Sequence, residues 1–66
     1  MKVHFDPEAD ALLISFSDGD IVETQEVKPD VMFDFDKDGR IVAMELLNVS
    51  KNVATPDMKK LAVELA

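Results

Sequence analysis

The stretch that most limits the fold runs Val31-Met32-Phe33-Asp34-Phe35-Asp36-Lys37-Asp38-Gly39-Arg40-Ile41-Val42-Ala43-Met44-Glu45-Leu46-Leu47. Two apolar-polar alternating runs flank an Asp-Gly pair, the strongest short-range mark of a β-hairpin. Directly opposed residues of antiparallel strands share a face, so parity tests the loop length. A two-residue loop at Asp38-Gly39 sets Phe35 opposite Val42, Phe33 opposite Met44 and Val31 opposite Leu46. A four-residue loop, Asp36 to Gly39, keeps the same faces. A three-residue loop sets Val31 against Glu45 and Asp34 against Val42, which mixes them. Parity thus predicts an even loop, with Asp34 and Asp36 facing out to water and Gly39 supplying a positive φ.

The same residues satisfy the calcium-loop pattern D-x-D-x-D-G-x5-E through Asp34, Asp36, Asp38, Gly39 and Glu45. Carboxylates are hard oxygen ligands suited to a hard cation, so divalent-cation binding through Asp34, Asp36, Asp38 and Glu45 is the alternative reading. That motif belongs between two helices, however, and both flanks here alternate with period two. Pro29 stands where the entering helix would run, and a strand carries Glu45 several residue rises from the turn. The hairpin without metal is the preferred reading.

At 66 residues the chain is one domain, close to the lower size for independent folding. No cysteine is present, which removes disulfides and thiolate metal sites and makes a cytoplasmic location the default. Asp6, Pro7 and Glu8 come too early for a secretion signal, and no apolar run exceeds four residues, far short of a membrane span. Fourteen acidic residues against seven basic ones give a formal charge of −7, which disfavours nucleic acid and suits a basic protein partner. Lys59-Lys60 is the only adjacent basic pair and reads as a solvated helix face.

Along the chain, Lys2 to Phe5 reads as a first strand with Val3 and Phe5 inward and His4 outward. Asp6-Pro7-Glu8-Ala9-Asp10 is a capped turn, in which Glu8 and Asp10 lack the nucleophile or electrophile that an acid-base pair would serve. Ala11 to Phe16 is a second strand, with Leu12, Ile14 and Phe16 on one face. Leu13 adds apolar surface to the other face and marks an interaction position. Ser17-Asp18-Gly19-Asp20 is a second Asp-Gly turn, and Ile21 to Val27 is a polar strand suited to a sheet edge. Residues 48–54 read as a polar connector. Thr55-Pro56-Asp57 signals a helix start, and Met58, Leu61, Ala62 and Leu65 form one apolar stripe over about 55–65. The expected architecture is α+β: an antiparallel β-meander of about five strands over about 2–47, with one C-terminal helix packed on a face of the sheet.

Phe5-Asp6-Pro7-Glu8-Ala9-Asp10-Ala11-Leu12-Leu13-Ile14, the Asp18-Gly19 turn and the run from Asp34 to Ser50 together resemble domain-of-unknown-function family 2283, a group of small prokaryotic proteins. Its pattern is aromatic-D-P-E-A-D-A-L-Y-I, followed later by D-x-D-x-x-G and I-E-I-L-x-A-S. Leu13 replaces the usual aromatic, Ala43 a common glycine, Met44 an isoleucine and Val49 an alanine. The resemblance implies no reaction, cofactor or catalytic residue. It implies instead an antitoxin-like or partner-neutralising role.

The residues themselves leave three readings. The first is a non-enzymatic protein-interaction module, homo-oligomeric or bound to a basic partner. The second is the cation binder. The third is an enzyme, and it is the weakest: Ser15, Ser17 and Ser50 have only His4 as a base, and so short a chain encloses little pocket.

Overall fold

The computed structural model describes residues 1–54, so the helix expected over 55–65 lies outside the described residues. Five strands, β1 (Lys2–Asp6), β2 (Ala11–Ser15), β3 (Glu23–Lys28), β4 (Val31–Phe35) and β5 (Ile41–Leu46), form a single antiparallel sheet. One short helix, α1 (Val49–Asn52), follows them. The α+β class is as expected. The strand order is β1-β2-β5-β4-β3, so a β3-β4-β5 meander takes the β1-β2 hairpin onto β5.

Period-two patterning sorts the side chains. One face carries the cross-strand rows Val3-Ile14-Met44-Phe33 and Phe5-Leu12-Leu46-Val31. Phe33 and Phe35 add an edge-to-face contact there, their ring centroids 6.4 Å apart. The opposite face carries the rows His4-Leu13-Glu45-Met32-Glu26 and Lys2-Ser15-Ala43-Asp34-Thr24. β2 is internal to the sheet, which explains why it is apolar on both faces. β3 is an outer strand with all six residues exposed, as its polar composition predicts.

In the central hairpin Val31 opposes Leu46 and Phe33 opposes Met44, as parity required. The loop, however, is odd rather than even. Phe35 meets Ile41 instead of Val42, and five residues, Asp36 to Arg40, join the strands. The cause is the Asp36 side chain, whose Oδ1 accepts from the amides of Asp38 and Arg40 at 2.9 Å each. The Asp36 carbonyl also accepts from Gly39 N at 3.0 Å, with Gly39 at φ +78°. This tight turn draws Arg40 back toward Asp36, and a register irregularity at Val42 restores the parity. The odd loop plus one bulged residue keeps Val31, Phe33, Met44 and Leu46 on the expected face but exchanges two others: Ile41 opposes Phe35, and Val42, expected beside Phe35, lines the opposite face instead.

The second Asp-Gly signal is no hairpin turn. Residues 16–22 carry the chain from β2 past β5 and β4 to β3. Val42 anchors the departure, its carbonyl accepting from Phe16 N at 2.8 Å and Ser17 N at 3.3 Å. Val22 N donates to Phe35 O at 2.9 Å on arrival. Gly19 serves close approach here, because a Cβ at that position would stand 3.3 Å from Ser17 Oγ.

Residues 48–54, expected as a plain connector, contain α1. Two distant turns hold it. Asp10, at φ 53°, accepts from Ser50 N and, at 2.6 Å, from Ser50 Oγ, while its carbonyl accepts from Val49 N. Asp30, at φ 69°, accepts from the side-chain amides of Asn48 and Asn52 at 3.0 Å each. Val49 is thereby sealed completely from solvent. The side chain of Asp6 caps its own turn as expected, accepting from Glu8 N at 3.0 Å.

Candidate functional site

The polar face contains a hollow of about 430 Å³ between the sheet and the 16–22 crossover. β5 contributes Val42, Ala43 and Glu45; β4 contributes Asp34; β2 contributes Leu13 and Ser15. Ser17, Asp18, Gly19 and Ile21 complete it from the crossover.

Asp34 and Glu45 sit diagonally across the β4–β5 ladder, since Asp34 opposes Ala43 and Glu45 opposes Met32. Asp34 was expected in water. It does lie on the face opposite Phe33, but it is only 3% exposed. Thr24 Oγ1 on β3 donates to Asp34 Oδ1 at 2.5 Å, a charge-assisted bond that offsets part of the burial cost. The Glu45 carboxyl is pushed above the ordinary glutamate range, first by burial, then by its hydrogen bond with Asp34, then by Asp34's charge.

Sequence spacing put Asp34, Asp36, Asp38 and Glu45 in one potential cation cage, and the structure divides them into two pairs. Asp34 and Glu45 face the hollow. Asp36 and Asp38 grip Arg40, at 3.3 Å from Nε and 3.1 Å from Nη2 respectively. Arg40 with the amides of Asp38 and Arg40 supplies the positive end that the spacing assigned to a cation. The Asp36 carboxyl is correspondingly held below the usual aspartate range, chiefly by the Arg40 amide. Among the described residues no three His, Cys, Asp or Glu side chains are grouped to hold a metal ion.

The serines are likewise engaged with their surroundings. Ser15 Oγ donates to the Ser17 carbonyl at 3.0 Å, and Ser17 Oγ accepts from Gly19 N at 3.1 Å. Ser50 Oγ donates to Asp10. His4, exposed on β1, stands opposite Leu13. Leu13 itself is 38% exposed at the wall of the hollow. Of the two carboxylates in the first turn, Asp10 is committed to α1, both its oxygens accepting from Ser50. The partnership of Asp34 and Glu45 was half visible, since correct hairpin parity already places both on one face. The burial of Asp34 was not, because the residues around it come together only in the folded sheet.

These features define a small α+β domain of one antiparallel sheet, with an acid pair on its polar face and its turns locked by aspartates. The chain belongs to the family described as Protein of unknown function (DUF2283), which matches residues 2–50. The match spans all five strands and the start of α1. It includes Asp10, Asp36, Gly39 and Ser50, whose work here is architectural. No curated protein and no solved structure matches the chain.

Proposed function

We propose that this protein is a small non-enzymatic interaction module that buries its open sheet surface against protein, either a basic partner that it neutralises in antitoxin-like fashion or another copy of itself. The observation that carries this reading is the imbalance between buried and exposed apolar groups. Among the described residues, the buried hydrophobic side chains are Leu12, Val42, Ala43 and Val49. Phe16, Ile21, Val22 and Ile41 are each about half exposed or more, with Leu13 not far behind. Stable domains bury apolar faces between two layers. Here five strands are matched, within residues 1–54, by one helix of four residues.

Covering a half-exposed aliphatic or aromatic side chain contributes about 1 kcal/mol, so each of them that a partner covers favours association. The charge of −7 selects for a basic surface on any second protein and steers its approach. The engaged serine hydroxyls support a role without covalent chemistry. Among the described residues, no helix is long and apolar enough to cross a membrane. The test is solution mass by light scattering together with affinity capture from the native host. A self-associated species or a stoichiometric basic partner is expected. A strict monomer that captures nothing overturns the reading.

A further inference from the structure

The sheet ends in two outer strands, β1 and β3, and they are built differently. β3 carries devices that discourage edge pairing: its register slips between Glu26 and Lys28, and Glu23, Glu26 and Lys28 place three charges along six exposed residues. β1 has no such irregularity. Its five residues run in unbroken register with β2, from Lys2 opposite Ser15 to Asp6 opposite Ala11.

We propose that the outer edge of β1 pairs antiparallel with β1 of a second copy, about a two-fold axis through His4. The sequence Lys2-Val3-His4-Phe5-Asp6 is self-complementary in that register. Lys2 falls opposite Asp6 of the partner subunit, Val3 opposite the partner's Phe5, and His4 opposite its own equivalent. Both ends then join opposite charges, and like charges at these positions would oppose pairing. Val3 and Phe5 stay on the apolar face, so the rows they begin continue from one subunit into the next. A one-residue shift sets Val3 against the partner's His4 and mixes the faces. Every other two-fold register pairs fewer than the five residues of the strand. The contact is isologous and closes at two subunits.

The side chains are free to make it. Lys2 Nζ lies 3.8 Å from Asp18 Oδ1, but both side chains are more than four-fifths exposed, and such pairs hold a lysine weakly. Asp6 uses Oδ1 for its own turn, which leaves Oδ2 for an incoming ammonium.

This inference rests on the interaction reading and deepens it by naming a second copy and its edge. Residues directly opposite on antiparallel strands have Cα atoms about 4.5–5.5 Å apart, within the span of a disulfide. The chain has no cysteine of its own, so an introduced thiol reports one contact only. His4→Cys, at an exposed position, is compared under mild oxidation with Gln25→Cys on β3, both checked by circular dichroism for an intact sheet. The expected result is a covalent dimer for His4→Cys at least tenfold in excess of that for Gln25→Cys, with wild-type mass twice that of one chain. His4→Cys remaining monomeric, or cross-linking no better than Gln25→Cys, overturns the β1 pairing. In either case, capture of a basic partner by the wild-type chain would leave the broader interaction reading standing.

Discussion

Asp34 on β4 and Glu45 on β5 stand diagonally across the ladder on the polar face of the sheet, so folding brings two carboxyl groups together at the hollow beneath the 16–22 crossover. Glu45 therefore titrates higher in the folded chain than in the unfolded one, and the protonated form is the one that folding favours. Its contribution is most favourable near or below the ordinary glutamate range and is lost as pH rises through the raised folded value. Glu45→Gln keeps a hydrogen-bonding amide and removes the charge. At pH 7 it should stabilise the fold by up to about 1 kcal/mol, a figure limited by partial solvent screening. The gain should shrink as pH falls toward 4, as read by denaturant midpoints across that window.

Asp30 and Asp36 have the opposite sign. Asp30 is held below its usual range by the Asn52 and Asn48 amides, and Asp36 by the amides of Arg40 and Asp38 together with the Arg40 charge. A depressed carboxyl stabilises the fold above its unfolded value, and that stabilisation is lost as pH falls through the folded value. Asp36→Asn should melt lower than wild type at pH 7, and the two should converge as pH drops below the ordinary aspartate range. Melting curves from pH 7 down to pH 2 check this. A constant difference throughout would mean that turn geometry, not charge, carries the effect.

The β1–β2 turn is fastened to α1 by Asp10, which accepts from both the amide and the hydroxyl of Ser50 across 40 positions of sequence. Asp10→Ala strips this cap and also places alanine at φ 53°. The expected cost is about 2 kcal/mol, measured by chemical denaturation. Asp10→Asn tolerates the left-handed backbone and keeps one acceptor, so it should lose well under that.

The fold is legible in the sequence where the signal is local and periodic. Residues 31–35 and 43–46 alternate so regularly that Val31, Phe33, Met44 and Leu46 take the expected face despite a different loop length, because Val42 bulges to absorb the odd residue and itself lines the other face. The exposure of β3 followed equally from Glu23, Gln25 and Glu26. Non-local information was missing. Asp18-Gly19 has the chemistry of a hairpin turn, yet it lies in a crossover that shares a hollow with the buried Asp34. Asn48 to Asn52 looks like connector because α1 owes its shape to Asp10 and Asp30, distant residues that propensity does not register.

Gly39 and Gly19 separate two reasons for a glycine. A Cβ at Gly39 meets nothing within 4 Å, so Gly39→Ala is penalised only by the φ of +78°, at about 1 kcal/mol. A Cβ at Gly19 meets Ser17 Oγ at 3.3 Å and Val42 Cγ2 at 3.7 Å, without a left-handed backbone. Gly19→Ala in a Ser17→Ala background should therefore recover most of its loss, while Gly39→Ala should not respond to Ser17→Ala. Denaturant midpoints of Ser17→Ala and of each glycine variant with and without it test this coupling.

The division of the four acids predicts the response to calcium. A calcium ion needs six to eight oxygens at 2.3–2.6 Å, which the spacing of Asp34, Asp36, Asp38 and Glu45 would supply only if they converged. Asp36 and Asp38 are instead committed to Arg40, and Asp34 to Thr24 on the opposite side of the hairpin loop. Recruiting them would break two ion pairs and the turn that sets the hairpin register. Amide NMR spectra of residues 34–45 should therefore stay unchanged to millimolar calcium, apart from small, salt-like shifts at the exposed Asp38. Saturable shifts shared by Asp34, Asp36 and Glu45 would show instead that the turn reorganises around the ion. An Arg40→Ala variant then discriminates further: freed of its internal cation, the turn should show stronger but still weak calcium attraction, because charge is restored without a closed coordination shell.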